Sequence, residues 1–135
     1  MAAIAPALLT LLTANSALTA LVGKRITPLE ADRSEVFPLV VYELRDFERP
    51  GGLGGANGIA NCVFRATAIA KSYADMDAVG TAIADVLAWY QGTVNGVVFQ
   101  GIFLDKTEEN RIVDPDTDAT LYFLRTLDFD LRASA

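Results

Sequence analysis

Leu121-Tyr122-Phe123-Leu124-Arg125-Thr126-Leu127-Asp128-Phe129-Asp130-Leu131 decides the fold class. Leu121, Phe123, Leu127, Phe129 and Leu131 alternate with Tyr122, Thr126, Asp128 and Asp130. Successive side chains of a strand point to opposite faces, so this stretch predicts a long strand with one face buried and one wetter. Arg125 is the exception on the apolar face.

Upstream, the same period-2 reading gives three more strands. Leu39 to Phe47 places Val40, Tyr42 and Leu44 on one face, with Glu43 and Arg45 on the other. Ile59 to Lys71 carries Cys62, Phe64, Ala66, Ala68 and Ala70 on one face, small enough to let a helix approach closely. Val94 to Asp105 has Val97, Phe99 and Phe103 together. Arg25-Ile26-Thr27 adds a short strand ended by Pro28. Between strands, Ser72-Tyr73-Ala74-Asp75 resembles a capping box and opens a helix with the apolar stripe Met76, Val79, Ile83, Val86, Leu87 and Tyr90, ended by Gly92. Trp89 and Tyr90, at its end, read as core or subunit contacts.

Met1 to Gly23 carries no charged side chain. A secretory signal wants a basic segment before its apolar run, and none precedes Ile4. A membrane helix needs about 20 predominantly apolar residues, whereas Thr10, Thr13, Asn15, Ser16 and Thr19 interrupt this run. The reading is a helical pair. Pro6 suits a first turn, Ile4, Leu8, Leu11 and Leu12 share a face, Ser16 caps the second helix, and Gly23 stops it. The expected fold is α+β: a four-stranded, mainly antiparallel sheet with one long helix and an N-terminal helical pair packed on it.

At 135 residues the chain reads as a single domain, 1–135, without internal repeat or linker. The 52% hydrophobic content exceeds what a lone monomer needs to bury and points to an oligomer. A net charge of −6 lacks the basic footprint of a nucleic-acid binder. Cys62 is the single cysteine, which excludes an intrachain disulfide and a cysteine-rich zinc site.

No histidine is present, so Ser-His-Asp and Cys-His machinery cannot be built. The loop Pro50 to Gly58 has five glycines, yet it has no lysine and leads into a strand, unlike a phosphate-binding loop. Asp114, Asp116 and Asp118 have calcium-loop spacing at their start. Ala119 then stands where glycine is required, and Arg125 where a bidentate glutamate is required. Lys106 to Asp118 therefore reads as a solvated charged turn. No catalytic residue, metal ligand or cofactor is expected, and the residues alone do not name a function.

The order of segments does. Leu8-Leu9-Thr10, Ala17 to Pro28 with Val22-Gly23-Lys24-Arg25-Ile26, Pro38 to Tyr42, Tyr73-Ala74-Asp75 and Leu127-Asp128-Phe129 together resemble the tail completion, or tail terminator, proteins of long-tailed bacteriophages. The loop Pro50 to Gly58 is richer in glycine than that pattern. The resemblance implies a structural virion protein, assembled in the host cytoplasm, and no enzyme. Such proteins form a ring, typically hexameric, that caps the head-proximal end of the tail tube, ends its polymerisation and receives the head connector. DNA passes through the lumen without specific binding, and no membrane is involved. Six copies at −6 sum to −36, so the lumen wall is expected to be acidic. The contact loops expected to meet tube and connector are Arg49, Gly51, Gly52, Leu53, Gly54 and Asn57 in one segment, and Lys106, Glu108, Arg111, Asp114 and Asp116 in the other. The alternatives are another neck or head-completion protein, or a non-phage oligomeric α+β binding module.

Overall fold

The computed structural model describes residues 4–23, 25–28, 37–48 and 59–134. Helices α1 (Ile4–Ala14) and α2 (Ser16–Val22) are followed by strands β1 (Ile26–Pro28), β2 (Leu39–Glu48) and β3 (Ile59–Ala70). Helix α3 (Tyr73–Leu87) then leads to β4 (Gly92–Val94), β5 (Val97–Val113) and β6 (Thr120–Ser134). One mixed sheet of six strands runs in the order β1-β2-β3-β6-β5-β4. The β1–β2 pair is parallel and the rest are antiparallel.

The α+β class holds, with two corrections. The sheet has six strands, not four. There are three helices, of 11, 7 and 15 residues, rather than one long helix with a minor pair. The sixth strand arises because Val94 to Asp105 is two strands. Asn95 (φ 51°) and Gly96 (φ 80°) both take positive φ and turn β4 back onto β5, the two-residue turn that Asn-Gly favours. Lys106 to Val113 is likewise strand, and only the stretch after it is turn. Charged side chains do not oppose a strand whose both faces are wet, since pairing with β6 satisfies the backbone.

The N-terminal helices meet at 89°, and neither is long and apolar enough to cross a membrane alone. Asn15 rather than Ser16 caps α2, its side chain accepting from the Leu18 N–H at 2.9 Å. Gly23 ends that helix at φ 58°. Ile4, Leu8, Leu12, Leu18 and Val22 are fully buried, which accounts for the uncharged opening. The pair packs on α3, and α1 also meets β4, where Asn95 Nδ2 donates to Thr10 Oγ1 at 2.9 Å.

Ser72 caps α3, accepting from the Asp75 N–H at 3.2 Å. The helix stops at Leu87, not at Gly92. It lies on β3 and β6, where Ala66, Ala68 and Ala70 are fully buried and Phe64, Phe129 and Leu131 fill the core. Cys62 is buried among them, and burial pushes its thiol up to about 11, so it is an inert core residue.

Candidate assembly surface

The strand register sets the sheet's outer face. Side chains opposite one another across β2, β3, β6 and β5 form rows. One row reads Glu43, Arg65, Asp128, Lys106. Arg65 Nε and Nη2 donate to the two Asp128 carboxylate oxygens at 2.8 and 3.1 Å, a bidentate pair. Its Nη1 lies 3.8 Å from Glu43 Oε1, and Lys106 Nζ lies 2.8 Å from Glu108 Oε1 in the next row. The Arg65 hydrogen bonds hold the Asp128 carboxyl below the usual carboxylate range. The following row ends in Asp130 and Phe103. Asp130, partly desolvated and near Asp105 and Asp128, is pushed above that range. Asn61, Val63, Phe103, Asp130 and Arg132 line a shallow groove of about 420 Å³ at this end. Among the described side chains at paired positions of these four strands, this face holds four carboxylates (Glu43, Glu108, Asp128, Asp130) and four cations (Arg45, Arg65, Lys106, Arg132). The acidity is concentrated in one segment, which meets this face at Lys106 and Glu108. Asp105 to Ala119 carries six carboxylates against Lys106 and Arg111, a net −4 of the chain's −6.

The sheet edges are only partly covered. β1 pairs with Val40 to Tyr42 of β2, and β4 pairs with Val97 to Phe99 of β5. Just before β4 in the chain, Trp89 takes a positive φ of 65° and donates its backbone N–H to the Ile102 carbonyl at 2.7 Å. Its indole is 77% exposed and meets the Phe103 ring edge-on, with centroids 5.3 Å apart. Among the described residues, β5 pairs on one side only from Phe103 onward, and β2 from Glu43 onward.

Exposed large apolar side chains gather at the β5 side. Val98, Phe103, Leu104, Ile112 and Leu121 lie on the β5–β6 hairpin. The remaining two described, Trp89 and Tyr73, touch it, the first at Phe103 and the second at Phe123 and Glu109. Trp89 is thus surface and Tyr90 half-buried against Phe99.

Of the residues expected at contact loops, Arg49, Gly51, Gly52, Leu53, Gly54 and Asn57 lie outside the described residues. Lys106, Glu108 and Arg111 sit on β5, not in a turn: Lys106 and Glu108 on the outer face, Arg111 on the other. Asp114 and Asp116 do sit in the turn. There Asp114 Oδ1 accepts from the Asp116 N–H at 2.9 Å, a local turn device. Among the described residues no cluster of three His, Cys, Asp or Glu is placed to hold a metal. The row Glu43–Arg65–Asp128–Lys106 and the Trp89–Phe103 pair are absent from the sequence-based set. Period-2 alternation marks Glu43, Arg65 and Asp128 as outward, but only the register aligns them.

This fold occurs in a virion. A chain from the virion of a native gene transfer agent particle superposes with a TM-score of 0.77 at 19% identity, over 98% of this chain and 95% of that one. No curated protein matches the sequence. The family model for tail completion protein gp17 matches residues 6–132, nearly the whole chain. A structural protein of the phage virion tail is the class so defined. The chain belongs to the tail completion protein gp17 family.

Proposed function

We propose that this protein forms a closed, hexameric ring on the head-proximal end of the tail tube, where it ends tube polymerisation and presents the surface that receives the head connector. The role is structural, without catalysis or cofactor, and DNA passes the lumen without specific binding. Assembly takes place in the host cytoplasm. Family membership supports the place in the tail. The observation that carries the ring is the concentration of every described exposed large apolar side chain on the β5–β6 hairpin or against it, Phe103, Leu104 and Ile112 among them where β5 is paired on one side only among the described residues. An apolar surface confined to one side, next to a strand edge ready to pair, fits a head-to-tail contact, and such contacts close into rings when the rotation permits. Deleting the gene and imaging the particles tests this. Overlong or headless tails, cured by supplying the protein, are expected. Tails of normal length beside leaking heads would move the protein to the head side.

A further inference from the structure

We infer that neighbouring copies join by pairing the β5 edge of one with the β2 edge of the next, at the level of the row Glu43–Arg65–Asp128–Lys106. This deepens, and rests on, the ring reading above.

The two open edges overlap in height over a short stretch, Glu43 to Arg45 on β2 and Phe103 to Lys106 on β5, where β5 has a register irregularity between Leu104 and Lys106. Among the described residues, β1 covers β2 only as far as Tyr42, and β4 and the Trp89 N–H cover β5 only as far as Ile102. Through the register Glu43 is level with Lys106, Leu44 with Leu104, and Arg45 with Phe103. A copy turned about an axis running along the strands therefore meets its neighbour where both edges are open. Three successive antiparallel pairings make β2 run opposite to β5 within one copy. A neighbour presented in this way adds an antiparallel strand, with each edge's unpaired N–H and C=O groups facing partners.

The charges choose between occupants. The row alternates carboxylate, guanidinium, carboxylate, ammonium, so it ends negative at β2 and positive at β5. Lys106 then meets Glu43 of the next copy, and the alternation continues unbroken. Exposed Phe103 and Trp89 are covered in the same step, beside Arg45 of that copy. Two β5 edges pairing with each other would instead bring Glu108 and Glu109 of both copies into the same few rows, where directly opposed like charges are unfavourable.

Cross-linking within assembled tails tests the pairing. Directly opposed residues of an antiparallel pair have Cα atoms about 4.5–5.5 Å apart, within disulfide range. The double variant Glu43→Cys with Lys106→Cys should form, on oxidation, a ladder of multimers that reductant collapses. Buried Cys62 does not compete. In a second arm, Lys106→Glu and Glu43→Lys should each cut incorporation into tails at least tenfold, and co-expressing the two should restore it, because alternating copies satisfy every junction of an even-numbered ring. If the double-cysteine variant forms normal rings yet does not cross-link, or if Lys106→Cys alone gives a cross-linked dimer, the edge pairing is wrong while the ring stands. Tails carrying no ring of wild-type protein overturn both.

Discussion

Arg125 crosses from sheet to helix at the point where α3 has no side chain, Gly80. A Cβ on Gly80 would lie 2.6 Å from Arg125 Cδ. The space lets the guanidinium emerge along α3, where Nη2 reaches Asp77 Oδ1 at 2.8 Å and Glu109 Oε2 at 3.4 Å. The arginine that interrupts the apolar alternation of β6 is thus a tie between α3, β6 and β5, although its Nε is buried without a partner among the described residues.

Gly80→Ala gains about 1 kcal/mol of helix propensity but forces Arg125 aside, and overpacking of this kind costs about 1–3 kcal/mol. The expected net is a loss of about 1 kcal/mol in denaturant unfolding. In a double-mutant cycle with Arg125→Ala the two changes should be strongly coupled. A more stable Gly80→Ala protein would show that the arginine relocates freely.

Leu8 is fully buried in the uncharged first helix. Leu8→Ala should cost about 2–5 kcal/mol. Leu8→Asp should abolish soluble folded protein, checked by circular dichroism and expression yield. Near-normal stability in either would place α1 outside the core.

Asp128 and Asp130 should respond to pH in opposite directions. The Asp128 carboxyl is lowered by Arg65, so the stability it contributes is present above its unfolded value, about 3.9, and is lost as pH falls through the lower folded value. Arg65 is 34% exposed, so solvent screening limits the effect to about 1 kcal/mol. The Asp130 carboxyl is raised, so protonation favours the fold, and that contribution is lost as pH rises through its folded value. Asp128→Asn should destabilise at pH 7 and lose its effect in acid. Asp130→Asn should stabilise at pH 7, again with no difference in acid. Parallel unfolding curves for both variants across the acid range would contradict the assignment.

Most of the Trp89 side chain lies in water and its backbone N–H survives substitution, so Trp89→Ala should change stability by no more than about 0.5 kcal/mol. Incorporation into tails, on the ring reading, should fall at least tenfold. Unchanged incorporation would remove the aromatic pair from the assembly surface.

Local rules made much of this fold legible. The alternation in β6, the Ser72 cap and the Gly23 stop depend on neighbours in sequence, and each stands where the residues place it. The Asn95-Gly96 turn was equally readable, yet the apolar run through Val94, Val97 and Phe99 hides it. β5 beyond Asp105 was not readable, because an edge strand with wet faces has the composition of a loop, and only its pairing with β6 identifies it. The same holds for the surface: Lys106 and Glu108 show their charge in the sequence, but their place depends on contacts more than ten residues away. Arg125 remains odd until Gly80, 45 positions earlier, is seen beside it.

Among the described residues, the short strands β1 and β4 each cover only part of a sheet edge. If copies join through these borders as proposed, a copy added at a slightly wrong angle produces a spiral that never meets its start. On the ring reading, closure would depend on the sheet's curvature rather than on the strength of any junction. Changes that flatten the sheet, even far from its borders, should favour insoluble fibres over discrete particles.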